Sequence, residues 1–190
     1  MKIILLIAFT IAASSFLAFS SYAQNRSSLL NNSSSKIPGS SKSNSKSAEL
    51  FDFNWTVNDL NGKEVQLSQY KGKVIFLTFW ATHCGICRGE LPKIQSLWNS
   101  LRERDDIAFL LVSKDDEAGV VKKFLSKTAY DFPVFMRVRG QSAKAFRGQN
   151  LPATYVIDQN GKILLNQTGR NKDESFSMSE FLLEAANKKP

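Results

Sequence analysis

Two apolar runs dominate the middle of the chain. The runs at 74–79 and 107–112 are continuous and rich in β-branched and aromatic residues, which predicts buried strands. Each run is followed by apolar residues spaced three and four apart, which predicts a helix with one buried face. These stripes consist of Leu91, Ile94, Leu97, Trp98 and Leu101 in the first helix and of Val120, Val121, Phe124 and Leu125 in the second. We expect Pro92 to kink the first helix and Asp115 or Asp116 to cap the second.

Turn residues divide the flanking segments into two hairpins. Asn-Gly pairs at 61–62 and 160–161 lie between segments of strand character and favour tight turns. We expect the strands of these hairpins at 51–57 with 63–67 and at 154–158 with 162–167, a short strand at 132–136, a helical turn at 143–146 and a terminal helix at 175–187. This order predicts an α/β fold with a mixed central β-sheet, helices on both faces and an N-terminal β-hairpin extension.

The N-terminal quarter has a different composition, which predicts an export signal and a linker. Lys2 precedes an apolar stretch at 3–19, and small residues precede a plausible cleavage point after Ala23, so we expect a signal peptide at 1–23. The stretch at 3–19 could instead stay as an uncleaved membrane anchor, because about 17–25 apolar residues span a bilayer. Residues 24–48 are rich in Ser, Asn and Lys and predict a disordered linker. One domain remains at 49–190.

The net charge of +8 is unevenly distributed along the chain. All 17 acidic residues lie from Glu49 onward with 20 of the 25 Lys and Arg residues, so the predicted domain carries a net charge of only +3. A charge of this size does not indicate a nucleic-acid partner. With either a cleaved signal or an anchor, we expect the domain outside the cytoplasm, in the periplasm, where disulfides are permitted.

Both cysteines of the chain lie in one Cys-x-x-Cys segment, between a predicted strand and a predicted helix. Unpaired N–H groups and the helix dipole stabilise a thiolate at a helix N-terminus, where a drop of about two units from a thiol pKa of about 8.5 makes the thiolate the majority form. We therefore expect Cys84 to be the attacking sulfur and Cys87, one turn further, to be the resolving sulfur. The redox-active disulfide Cys84–Cys87 would need no cofactor and no metal.

Three other uses of the two cysteines remain open. A zinc site lacks a second cysteine pair, and His83 is too close along the chain to supply a ligand. A purely structural disulfide would close a very small loop, which adds little stability. A copper(I) dithiolate suits soft sulfur ligands, although no methionine lies nearby. A non-catalytic copper(I)-handling module is therefore the alternative function.

Two sequence motifs together resemble the TlpA/ResA-like branch of the thioredoxin superfamily. The motifs are Phe79-Trp80-Ala81-Thr82-x-Cys84-x-x-Cys87-x-x-Glu90-x-Pro92 and, about 65 residues on, Leu151-Pro152-Ala153-Thr154-Tyr155-Val156-Ile157-Asp158-x-x-Gly161. The resemblance implies a thioredoxin-like fold over about 50–190 and an exported or membrane-tethered thiol-disulfide oxidoreductase. It further implies protein thiol or disulfide substrates, a reducing role in cytochrome c maturation or thiol maintenance, and a membrane-bound electron donor.

The resemblance also implies roles for residues around the cysteines. Pro152 matches the family's cis-proline opposite the cysteine pair, and Leu151 would offer its backbone to a visiting extended peptide. Glu90 matches a family glutamate that tunes the thiols and moves protons, which requires a partly buried carboxyl group. Trp80, at the end of the predicted strand, belongs to the expected binding residues.

Two positions depart from the family pattern. Thr78 stands where thioredoxin has a buried acid, so more of the proton transfer would depend on Glu90 or water. His83 stands where a tryptophan usually precedes the first cysteine. Its imidazole could titrate near physiological pH and bias the Cys84 thiolate, or it could be an exposed residue at the rim of the binding site.

Overall fold

A seven-stranded mixed β-sheet lies at the centre of the computed structural model, which describes residues 50–115, 117–138, 150–173 and 176–188. Its strands are β1 (Thr56–Asp59), β2 (Glu64–Gln66), β3 (Val74–Trp80), β4 (Ile107–Ser113), β5 (Val134–Arg137), β6 (Ala153–Ile157) and β7 (Ile163–Thr168). Their spatial order is β2-β1-β5-β4-β3-β6-β7. Strands β3, β4 and β5 run parallel, and the other neighbours pair antiparallel. The predicted α/β fold with a mixed sheet is confirmed.

The described ranges contain three α-helices, α1 (Gly85–Leu101), α2 (Ala118–Leu125) and α3 (Met178–Asn187), and a 3₁₀-helix at Leu67–Tyr70. Helices α1 and α2 connect β3 to β4 and β4 to β5, because parallel strands need a crossover rather than a tight turn. None of the helices in these ranges is both long and apolar enough to cross a bilayer. The helical turn expected at 143–146 lies outside the described residues, as do the expected signal peptide and linker.

Strand β3 is buried along its whole length and contributes to two hydrophobic clusters. Its even-numbered apolar residues pack with residues of α1, α2 and α3, whereas its odd-numbered residues pack with Phe51, Trp55 and Leu67. Successive side chains of a strand point to opposite faces, so the two clusters lie on opposite faces of the sheet. Helices were expected on both faces. Within the described ranges, the α-helices contribute to one cluster, and the 3₁₀-helix and N-terminal aromatic residues to the other.

The segment before β1 is not the strand predicted at 51–57, since β1 begins only at Thr56. Instead, the Phe51 N–H donates a hydrogen bond of 2.7 Å to the Gly161 carbonyl of the second hairpin. Gly161 has a φ of +83°, and a Cβ there would lie 3.1 Å from the Phe53 ring. The aromatic residues before β1 therefore pack on the sheet without forming a strand. Their strand propensity alone does not predict this arrangement.

Candidate active site

The two cysteines form a disulfide at the start of α1, with their Cα atoms 5.2 Å apart. Cys84 is the N-cap residue of α1 and is partly exposed, and its Sγ accepts a hydrogen bond of 3.1 Å from the Cys87 N–H. Cys87 lies inside the helix and is only 1% exposed. A partner can therefore reach Cys84 first, and the donor at the helix end that now bonds its sulfur would stabilise a thiolate there.

Backbone hydrogen bonds fix the turn that carries Cys84 from the sheet into α1. The Cys84 N–H donates to the Ala81 carbonyl at 3.1 Å, and the Arg88 N–H donates to the Cys84 carbonyl at 3.0 Å. The Lys114 N–H donates to the Trp80 carbonyl at 2.8 Å, which ties the end of β3 to the end of β4. The turn is thus held from both the helix and the neighbouring parallel strand.

Asp115 anchors the same turn through its side chain. The carboxylate is 9% exposed and accepts hydrogen bonds from the Thr82 N–H at 2.8 Å, the Thr82 hydroxyl at 2.9 Å and the Ser113 hydroxyl at 2.8 Å. Burial alone would raise the pKa of this carboxyl group, but the hydrogen bonds from Thr82, Ser113 and His83 outweigh it and hold the pKa below its usual range.

The prediction that Asp115 caps α2 is wrong. The N-cap residue of α2 is Glu117, whose side chain makes no capping hydrogen bond, and Asp116 lies outside the described residues. The signal in the sequence is the polar Ser113-x-Asp115 segment at the carboxyl end of β4, which points to the cysteine turn only once β4 is placed beside β3. Local capping preference alone does not reveal this longer-range contact.

His83 lies on the exposed side of the turn. Its Nδ1 is 3.3 Å from Asp115 Oδ1, and its side chain is 77% exposed. The contact orients the imidazole, while the exposure leaves it accessible to a partner. His83 thus lies at the rim of the site, and an influence of His83 on the Cys84 thiolate stays a prediction.

The loop before β6 brings Pro152 to the cysteine end of the sheet. The Leu151–Pro152 peptide bond is cis, Pro152 is buried, and Leu151 is partly buried. Ala153 pairs with Phe79 in the antiparallel β3–β6 ladder, so the loop lies beside the end of the strand that leads to Cys84. The Pro152 carbonyl accepts a hydrogen bond of 2.8 Å from the Gly169 N–H.

A cavity of about 530 Å³ opens beneath the cysteine helix, lined among others by Cys87, Glu90, Pro152, Trp80 and Thr78. Glu90 lies one helical turn after Cys87, its side chain is 18% exposed, and its Oε1 is 3.0 Å from Arg170 Nε. That oxygen has no partner in hydrogen-bonding geometry, so the contact is an ion pair. A mostly buried carboxyl group therefore shares the cavity with the buried cysteine.

Thr78 and Trp80 line the same cavity from β3. The Thr78 hydroxyl lies 3.0 Å from the Thr154 hydroxyl, so a neutral pair occupies the position where thioredoxin has an acid. Trp80 is 1% exposed, and its ring centroid lies 5.7 Å from that of Phe124. Trp80 thus forms a wall of the cavity and is not part of the exposed surface around Cys84.

Comparisons with known proteins show which proteins the chain is similar to. The AhpC/TSA family model matches residues 48–165. The thiol-disulfide oxidoreductase ResA of Bacillus thuringiensis subsp. konkukian (strain 97-27) is 31% identical over 129 residues, covering 68% of this chain and 73% of ResA. ResA of Geobacillus thermodenitrificans (strain NG80-2) is 32% identical over 122 residues, or 64% of this chain and 70% of that protein.

Solved structures share the fold. The crystal structure of a Chlorobium tepidum protein assigned as the thiol:disulfide interchange protein DsbE has a TM-score of 0.62 at 27% identity, covering 74% of this chain and 99% of that chain. The exposed lipoprotein thioredoxin Etrx1 of Streptococcus pneumoniae strain TIGR4 has a TM-score of 0.55 at 25% identity, covering 70% of this chain and 96% of that chain. The fold around the cysteine pair is therefore thioredoxin-like.

Proposed function

The chain belongs to the AhpC/TSA family and is a ResA-like thiol-disulfide oxidoreductase of the thioredoxin superfamily, and we propose that it reduces disulfides of protein partners outside the cytoplasm. One observation carries the proposal. Cys84 is partly exposed and accepts an N–H hydrogen bond at the N-terminus of α1, while Cys87 is buried one turn further along. This asymmetry suits an attacking sulfur and a resolving sulfur.

The proposed reaction begins with the reduced protein. The Cys84 thiolate attacks one sulfur of a partner disulfide, a bond forms between these two sulfurs, and the other partner sulfur leaves as a thiolate. Cys87 then loses its proton and attacks Cys84 Sγ, which closes the Cys84–Cys87 disulfide and expels the second partner thiolate. Two electrons pass to the partner, and its two thiolates take up one proton that came from Cys87 and one from solvent.

Glu90 is the proposed proton acceptor for Cys87. Residues three apart on a helix lie on the same face, with Cβ atoms about 5–6 Å apart, and both side chains line the cavity. A positioned carboxylate can take the Cys87 proton during the second step and pass it on to the leaving thiolate or to water. The neutral Thr78–Thr154 pair supplies no ionised acceptor on the opposite wall.

The proposed peptide-binding surface surrounds Cys84. The backbone of Leu151 would pair with an extended partner segment beside the cysteines, as a strand adds to a sheet. His83 would contact the partner directly because its side chain is exposed. Trp80 would act from below as a rigid wall, since it is buried.

We place the protein in the periplasm as a secreted or tethered reductant. The support is the apolar stretch at 3–19 ahead of the 24–48 linker, together with the relative described as an exposed lipoprotein thioredoxin. Cytochrome c maturation or general thiol maintenance would be its task. A membrane-bound electron donor would return two electrons to the Cys84–Cys87 disulfide after each turnover.

Insulin reduction by the full-length chain, with dithiothreitol as electron source, tests the activity. We expect turnover with the native protein and none with Cys84→Ser. Full turnover of Cys84→Ser would overturn the proposal. Stoichiometric binding in a copper(I) titration of the reduced protein, without insulin turnover, would instead support the copper-handling alternative.

The reduction potential of the couple tests the direction of electron flow. We expect a value near thioredoxin's, about −270 mV, for a reductant. A value near about −120 mV would show that the protein acts as an oxidant.

A further inference from the structure

Arg170 contacts the cysteine helix from a distant part of the chain. It follows β7, and its Nε lies 3.0 Å from Glu90 Oε1. The guanidinium is 57% exposed, whereas the Glu90 side chain is only 18% exposed. Lys93 is the second cation near this oxygen, but its Nζ is 3.8 Å away and its side chain is 71% exposed. Arg170 is therefore the closer counter-charge of the mostly buried carboxylate.

Gly89 leaves room for this contact. A Cβ built at Gly89 would lie 3.2 Å from an Arg170 terminal nitrogen, the one atom within 4 Å apart from the neighbouring residues and the backbone of the helix itself. Glycine is unfavourable in the middle of a helix, where it costs about 1 kcal/mol relative to alanine. The guanidinium thus lies against the helix backbone at the turn between Cys87 and Glu90.

The same segment is attached to the proline loop. The Gly169 N–H donates to the Pro152 carbonyl at 2.8 Å, directly before Arg170 in the chain. Gly169 has a φ of +79°, in the left-handed region that favours glycine. The chain leaves β7 here, bonds the proline loop and directs Arg170 towards α1, so one short segment contacts both halves of the active site.

We propose that Arg170 is a positioning residue that holds the Glu90 carboxylate beside Cys87 for the second step of disulfide exchange. This inference rests on the proposed proton-transfer role of Glu90. Arg170 fixes the acceptor on the Cys87 side of the cavity, where the proton is released. No hydrogen bond or ion pair joins Arg170 to Cys84, both of which are described residues, so the first step does not depend on it.

The experiment separates the two steps in the reduced, full-length protein. Oxidised glutathione is the probe: attack by Cys84 forms a glutathionylated protein, and attack by Cys87 removes the adduct as reduced glutathione. Rapid acid quenching followed by mass spectrometry measures the adduct over time. The variants are Arg170→Gln, Arg170→Lys, Glu90→Gln and the Arg170→Gln/Glu90→Gln double variant. Arg104→Gln removes an ion pair with Asp106 at the other end of α1 and is the matched control.

We expect Arg170→Gln to slow adduct removal about tenfold, which is part of the roughly 10²–10⁴-fold that a positioned proton acceptor supplies, and to leave adduct formation unchanged. Arg170→Lys should recover part of the rate because it keeps the charge. In the Glu90→Gln background, Arg170→Gln should add less than about a twofold further loss, since both changes remove one interaction. Arg104→Gln should form and remove the adduct at the rates of the native protein.

Three results would overturn the inference in different ways. If Glu90→Gln slows adduct removal but Arg170→Gln does not, the role of Arg170 is refuted and the proposed role of Glu90 stands. If Glu90→Gln has no effect, the proton-transfer role fails and the inference fails with it. Equal slowing of both steps by Arg170→Gln would show a general disturbance of the site and would also refute the positioning role.

Discussion

Replacing Asp115 tests how the cysteine turn is held. In Asp115→Ala, the Thr82 N–H, the Thr82 hydroxyl and the Ser113 hydroxyl lose an acceptor at 2.8–2.9 Å. Hydrogen bonds to charged groups contribute about 1.5–3 kcal/mol each, but the hydroxyl of the partly exposed Thr82 can rotate towards water. The fully buried Ser113 hydroxyl and the part-buried Thr82 N–H cannot, so we expect a loss of about 3 kcal/mol in the free energy of unfolding.

Urea denaturation of the oxidised protein, followed by tryptophan fluorescence, measures this loss. For a domain of this size, it corresponds to a fall of about 10 °C in Tm. Asp115→Asn should lose less, because the amide oxygen can still accept from the Thr82 N–H. Asp106→Ala is the control, because it removes an exposed carboxylate whose pKa is also lowered, mainly by its hydrogen bond with Arg104. It should lower the free energy of unfolding clearly less than Asp115→Ala does.

The effect should depend on pH. The folded-state pKa of Asp115 is lowered, so its stabilising contribution is present above the unfolded value of about 3.8 and is lost as pH falls through the folded value. The difference between native protein and Asp115→Ala should therefore be constant from neutral pH down to about 5 and shrink below about 4. Equal losses for Asp115→Ala and Asp106→Ala at neutral pH would refute the anchoring role.

Two further substitutions test the packing beneath the cysteines. Thr78→Val should lower the free energy of unfolding by about 1 kcal/mol, because it leaves the Thr154 hydroxyl without its partner at 3.0 Å. The Thr78→Val/Thr154→Val double variant should be nearly neutral, because no hydroxyl is left unpaired. A larger loss in the double variant than in the single variant would contradict this. Leu182→Ala should lower the free energy of unfolding by about 2–5 kcal/mol, because Leu182 is fully buried where α3 packs on the sheet. A loss below about 1 kcal/mol in urea denaturation would show that α3 is loosely packed.

The sequence was sufficient to predict the elements that the core determines. β3 and β4 are continuous apolar runs because they lie in the middle of the sheet, and α1 shows a helical stripe because one face packs on it. The cysteine motif was also visible, because its residues are adjacent in the chain. These features depend on local pattern, which a sequence displays directly.

Contacts between distant residues were not predictable in the same way. Asp115 is a residue type that often caps helices. Only the register of β3 against β4 shows that it accepts a hydrogen bond from Thr82. Arg170 has no local pattern that links it to Glu90, 80 positions earlier. Both contacts are made by side chains that the fold brings together, so they depend on sheet order and loop path rather than on periodicity.

Trapping of the mixed disulfide shows which of the two cysteines attacks the partner. Full-length, reduced Cys87→Ser is mixed with oxidised insulin, and the covalent adduct is mapped by non-reducing mass spectrometry. We expect one stable adduct through Cys84, since Cys84 is the accessible sulfur and no resolving thiol remains. Absence of an adduct at Cys84, or an equally abundant adduct through Cys87 in Cys84→Ser, would contradict it.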